Sequence, residues 1–249
     1  MEIDMERAET DDVYYVDVGQ VRITTTWATE EYQIKEWVSD VNKIYRKRGS
    51  PRKNQFVLAL AADRSLYYPH GELVFNEAHF ELLQLCIGVH CLLINLQPWD
   101  KWNPKSLRDF LNSFGLKVVG VGIEEVAEKL EKHHRFVMPP VIELQELVEK
   151  NEDVIINKGI MDNSKETKRD LSEYNIANLA KIVLGEEINF VKPLNMWWWS
   201  EDYYHLSDDL VKFATLETFL VSQMGLKLLK STTSSRLSPD LVQAFFFKG

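Results

Sequence analysis

The run FVLALAA, Phe56–Ala62, is apolar at every position and closes on one carboxylate, Asp63. A strand without a polar face is buried on both sides, which requires a sheet covered by helices above and below. That places the chain in the α/β class. In open sheets of this class, ligands gather beyond the carboxyl ends of the central strands. Asp63 stands at that end, so its purpose becomes the question.

The surrounding pattern supplies the rest of such a sheet. VYYVDVG and QVRITTTW, around Gly19, read as two short strands or a hairpin. After Thr29, Ile34, Trp37, Val38, Val41, Ile44 and Tyr45 recur at helical spacing until GSPRK stops the helix. HFELLQLCIG and HCLLINL form a hairpin turning near Gly88. Asn103 and Pro104 open a helix as N-cap and N1. LKVVGVGI is a second buried strand, EEVAEKLEKHH a helix, PPVIELQELVEK a short strand and helix, and NIANLAKIVLG a helix stopped at Gly185. A long helix from LSDDLVKF to GLKLL comes last, and NEDVIINKGIMDNSKETKRD is a polar loop. A meander followed by strand–helix–strand units predicts a sheet of mixed direction flanked by helices. The domain is expected over residues 21–230, after a poorly ordered stretch 1–20 and before a tail 231–249.

At 249 residues the chain suits one good-sized domain. No stretch approaches a membrane span, and the acidic start is neither a signal nor a transit peptide. Cys86 and Cys91 either face each other across a hairpin or, the preferred reading, are reduced, half-buried thiols of a reducing compartment, which places the protein in the nucleus or cytoplasm. A net charge of −9 excludes a strong, indiscriminate grip on nucleic acid. The segment KIYRKRGSPRK is nevertheless basic throughout. Lys43, Arg46, Lys47, Arg48, Arg52 and Lys53 form either a phosphate-binding stretch or a solvated helix end. His133 and His134 suit a helix C-terminus as cations. The aromatics of NMWWWSEDYY serve either core packing or base stacking. The terminal AFFFKG favours oligomerisation.

A second acid breaks the apolar stripe of the last helix. Glu217 stands among Leu210, Phe213, Ala214, Leu220, Val221, Met224 and Leu228. Either it faces a cleft, a cation or an arginine, or the helix is turned to solvate it. An acid at a strand end and an acid on a covering helix are what a site for Mg²⁺ draws from a chain, with substrate phosphates completing the coordination.

VRITTTW before a helix, LLQLCIGVHCLLINL, VVGVGIEEVAEKL and NMWWWSEDYYHLSDDLVKFATLETF follow one another in an order that resembles a known family. It is the 3′–5′ exonuclease domain of the Werner-syndrome type, in the DnaQ-like (DEDD) superfamily on a ribonuclease H-like fold. The likeness is to a divergent plant branch that includes the RISC-interacting clearing exoribonucleases. It implies an α/β mixed sheet, a site for Mg²⁺ or Mn²⁺, and single-stranded RNA or DNA as partner. Its first motif, Asp-x-Glu, falls on Ala61 and Asp63, its second acid on Val126 and its third on Glu217. The motif's Tyr falls on Phe213, and the His of the variant motif on Lys212.

Only Asp63 and Glu217 therefore retain acids, and both serve as the expected catalytic remnant and metal ligands, holding the ion weakly. Two-metal phosphodiester cleavage needs more. Two functions stay open. One is a binding or regulatory module on nucleic acid, with a protein partner and little or no catalysis. The other is an active 3′–5′ exonuclease using one metal or a site shared across a homo-oligomer interface. Neither involves a membrane.

Overall fold

In the computed structural model, the structure describes residues 3–10, 12–46, 56–63, 66–67, 74–75, 80–96, 104–113, 115–151, 175–185, 188 and 206–234. The strands are β1 (Ile3–Arg7), β2 (Val13–Val18), β3 (Val21–Ala28), β4 (Phe56–Asp63), β5 (Leu66–Tyr67), β6 (Val74–Phe75), β7 (Leu82–Ile87), β8 (His90–Asn95), β9 (Leu116–Gly120) and β10 (Val141–Glu143). The helices are α1 (Glu31–Arg46), α2 (Lys105–Leu111), α3 (Ile123–His134), α4 (Leu144–Glu149), α5 (Ile176–Leu184) and α6 (Asp208–Ser234).

Eight strands form one mixed sheet in the order β1-β2-β3-β8-β7-β4-β9-β10, and β5 and β6 form a separate pair. The expected hairpin turns at Gly88, which takes a left-handed φ of 61°. β4 pairs antiparallel with β7 and parallel with β9, so the apolar run lies inside the sheet. Side chains alternate between its faces. Leu58 and Leu60 enter a cluster with Ile34 and Trp37 of α1, Phe110 of α2 and Leu130 of α3. Val57 and Ala59 enter another with Leu147 of α4, Leu179 of α5, and Leu220 and Met224 of α6. Both faces are covered, as an uninterrupted apolar strand demands.

The last helix is buried nearly all round. The sheet lies on one side of it and α4 and α5 on others, so Thr215, Thr218 and Ser222 are buried with its apolar residues. The Thr215 hydroxyl shares a 2.9 Å hydrogen bond with that of Thr25 on β3, which fixes the helix against the sheet. Gly225 permits the closest approach. A Cβ there would lie 3.1 Å from Val57 Cγ1 and 3.2 Å from Val119 Cγ2. Among the described residues, no helix is long and apolar enough to cross a membrane.

Four expectations need correction. The stretch 1–20, expected to be poorly ordered, contains β1 and β2, paired in antiparallel register. Ile3 and Met5 alternate with Asp4 and Glu6, and the apolar pair packs against the core. Arg7 adds a cation–π contact with Tyr14 and a 3.3 Å ion pair with Asp208. Pro104 is the N-cap of α2 and not its N1, since its carbonyl accepts the first turn's N–H groups from Leu107 and Arg108. His134 is no solvated helix-end cation. It is buried, and its Nε2 accepts the Phe80 N–H at 3.3 Å, so that nitrogen carries no proton. Cys86 and Cys91 stay free but are fully buried and directly opposed across β7 and β8. Burial, and then Cys91, pushes the Cys86 thiol well up. The polar loop from Glu152 onward, the aromatic NMWWWSEDYY stretch and the terminal AFFFKG lie outside the described residues.

Candidate functional site

Parity along β4 places Ala61 and Asp63 on the face that carries Val57 and Ala59, toward the last helix. Asp63 is half-buried at the carboxyl end of the strand. Across the β4–β7 register, Ala61 is opposite Gln84, which is wholly buried. Gln84 Nε2 donates to Asp63 Oδ2 at 2.5 Å, while its Oε1 is enclosed with no partner among the described residues.

The last helix runs antiparallel to β4. Gly225 lies beside Val57, and Gln223 Nε2 donates to the Gly88 carbonyl at 3.3 Å, both at the strand's start. Leu210, Val211 and Phe213 pack instead with Leu82 and Leu93, near its finish. The helix rises about 12 Å from Gly225 to Glu217, and the strand about 13 Å from Val57 to Ala61. Glu217 therefore falls at the level of Ala61, about 7 Å short of Asp63 along the strand, and is half-buried. Phe213, one turn earlier, is buried in the apolar cluster of Leu82 and Leu93 and brings no hydroxyl. Lys212 is half-buried on the same turn.

The other expected positions lie apart. Val126 packs against the cluster on the opposite face of the sheet. Its neighbour Glu125 is exposed and pairs with Lys129 along α3. Lys43 is exposed and pairs with Asp40 at 2.9 Å. The end of α1 that bears it packs at the start of β4, where Val41 and Asn42 line a small cleft with Phe56, Ile87 and Leu116. The length of β4, about 23 Å, separates this end from Asp63. The basic segment thus begins at the other end of the sheet and on its other face. The Arg46 side chain, Lys47, Arg48, Arg52 and Lys53 lie outside the described residues.

Among the polar residues at this end of the sheet that sequence reasoning missed, two bear on the candidate site. One is Gln84, whose role depends on a cross-strand register that no local pattern displays. The other is Glu143, at the carboxyl end of β10. Its Oε2 accepts the Ile123 N–H at 3.0 Å and caps α3, whose own N-cap, Gly122, has no side chain to do so. An acid closing the short run VIE is a faint signal of the same kind as Asp63.

A pair of divalent cations needs several flanking oxygen ligands. Asp63 and Glu217 lie on one face, toward the same end of the sheet, but one carboxylate oxygen of Asp63 already receives an amide N–H. Ala61 and Val126 offer no ligand, and Glu143 gives one oxygen to a helix cap. Among the described residues no group of three or more His, Cys, Asp or Glu side chains is placed to hold a metal ion. The donor set does not fit the two-metal centre that the fold implies.

No family model and no curated protein matches the chain. Solved structures do. The Nibbler EXO domain of Aedes aegypti superposes with a TM-score of 0.59 at 17% identity, covering 86% of this chain and 91% of that one. Escherichia coli RNase D, an exoribonuclease involved in structured RNA processing, gives 0.55 at 16% identity over 85% of this chain. This chain spans 46% of the RNase D chain. Brucella melitensis NrnC gives 0.50 at 10% identity, covering 72% of this chain and 74% of that one. Identities this low speak for architecture alone. The chain has the ribonuclease H-like fold of the DnaQ-like 3′–5′ exonuclease domains.

Proposed function

We propose that this protein binds single-stranded nucleic acid through an exonuclease fold whose metal site is reduced to two acids, with weak or absent hydrolysis and a binding or regulatory role. One observation carries the reading. The Asp63 carboxylate is held by the Gln84 amide, with Ala61 and Val126 standing where the resembled family has its other acids. Loss of two of four carboxylates removes the anchor of a second cation, and with it the activated water and the stabilised leaving oxygen. The likeness to an EXO domain and to RNase D supports nucleic acid as the partner class. The basic segment Lys43–Lys53 supplies phosphate contacts in this reading, and its described beginning, at Lys43, lies at the end of the sheet remote from Asp63.

The second reading is an active 3′–5′ exonuclease on single-stranded RNA or DNA, holding one Mg²⁺ or Mn²⁺ between Asp63, Glu217 and substrate phosphate, or sharing a site across a subunit interface. The placement of the two acids on one face, toward the same end of the sheet, favours it. Hydrolysis of 3′- and 5′-labelled RNA and DNA in Mg²⁺ or Mn²⁺, beside an Asp63→Asn, Glu217→Gln variant, separates the two. Binding without turnover is expected. Stepwise loss from the 3′ end that disappears in the variant would establish the enzyme instead.

A further inference from the structure

A carboxylate drawn partly out of water needs a cation or strong donors to compensate it. In a metal-dependent site the cation does this. At Asp63 the Gln84 amide does part of it, from 2.5 Å. The register explains how it reaches: Gln84 lies opposite Ala61, whose small side chain leaves the amide room to cross diagonally to Asp63. The other end of the same amide points to the same role. Gln84 Oε1 is enclosed without a partner among the described residues, so the fold bears the desolvation of that oxygen. Turning the amide over would set Oε1 against Oδ2, acceptor against acceptor. It is the N–H end of the glutamine that the carboxylate uses.

We infer that Gln84 takes the place of a divalent cation at Asp63, so that this site is completed without metal and the folded domain is indifferent to chelation. The inference rests on the reading of a nucleic-acid-binding protein with weak or absent hydrolysis and supplies a structural cause for it. It also makes Gln84 a positioning residue: it sets the Asp63 carboxylate and touches no substrate.

The test uses the full chain and Mn²⁺ alone as probe, by titration calorimetry and by thermal melting in Mn²⁺ against EDTA. It compares the wild type with Gln84→Ala and Gln84→Glu. The wild type should show no saturable Mn²⁺ uptake into the millimolar range and one Tm in both buffers. Gln84→Ala should melt lower in EDTA by about 3–8 °C, the effect of losing one charge-assisted hydrogen bond in a chain of this size. Gln84→Glu puts a second carboxylate beside Asp63 and should gain a Tm that rises with Mn²⁺. Saturable Mn²⁺ binding by the wild type that Asp63→Asn abolishes would overturn the inference. So would a Gln84→Ala protein that melts with the wild type, or a folded Gln84→Glu protein that gains nothing from Mn²⁺. If Gln84→Glu does not fold, the wild type and Gln84→Ala decide. The two proposals fail separately: turnover of RNA sinks the functional reading, while Mn²⁺ uptake without turnover sinks only the role given to Gln84.

Discussion

Replacing Gly225 by Ala sets two opposed effects against each other in the last helix. Alanine is favoured over glycine in a helix interior by about 1 kcal/mol, so propensity alone predicts a more stable protein. The packing predicts otherwise. The new Cβ would sit 3.1 Å from Val57 Cγ1 and 3.2 and 3.3 Å from the two Val119 methyls, inside the carbon–carbon optimum of about 3.5–4.0 Å. Both valines are buried on β4 and β9, inside the sheet, and Leu220, Met224 and Leu228 pack beside them. No exposed chain end is available to swing away, so the helix must lift by a few tenths of an ångström along its length. Overpacking of this kind costs about 1–3 kcal/mol. The net expectation is a loss of about 1 kcal/mol, read in urea unfolding as a lower midpoint with an unchanged slope. A Gly225→Ala protein that gains stability would refute the close approach and, with it, the vertical alignment that puts Glu217 level with Ala61.

Two further outcomes follow from single contacts. Thr25→Val and Thr215→Val should each cost about 1–2 kcal/mol, because each leaves one buried hydroxyl without its 2.9 Å partner; the double variant should lose less than the sum, and additivity in a double-mutant cycle would refute the pairing. Burial holds the His90 imidazole below its ordinary value, against an opposing pull from Asp40. The unfolded chain therefore takes up this proton first, so stability falls as pH drops below about 6.5 until the folded imidazole is protonated too. His90→Asn should flatten that limb of a stability–pH profile, and an unchanged limb would remove His90 as its source.

The sheet is legible because its strands carry their surroundings in their composition. Phe56–Ala62 has no polar face and lies buried on both; the segments either side of Gly88 do the same and form the hairpin. Helix bounds are legible where capping residues are specific, as with Asn175, which accepts the Asn178 N–H, and Gly185, in the left-handed conformation at φ 77°. The misses share a cause. Asp4 and Glu6 raise the charge of the first residues enough to suggest disorder, yet the alternation with Ile3 and Met5 is a strand pattern on a smaller scale. His134 follows a charged helix face and reads as solvated, but the chain folds Phe80 over it, a contact between residues far apart in sequence.

The site divides along the same line. Asp63 stands out because a lone acid ends an apolar strand, and Glu217 because a lone acid interrupts an apolar stripe. Each is an anomaly of local pattern, and the antiparallel run of the last helix brings both to one end of the sheet. Gln84 is no anomaly within LLQLCI, a stretch it only slightly polarises. It acquires meaning when β4 and β7 pair with Ala61 opposite it, a register set by the hydrophobic faces of two strands together. Single positions show which acids a chain carries; only the pairing shows what stands beside them. At Ala61 the small side chain and the amide that crosses it belong together, and any metal dependence at Asp63 has to be argued from both.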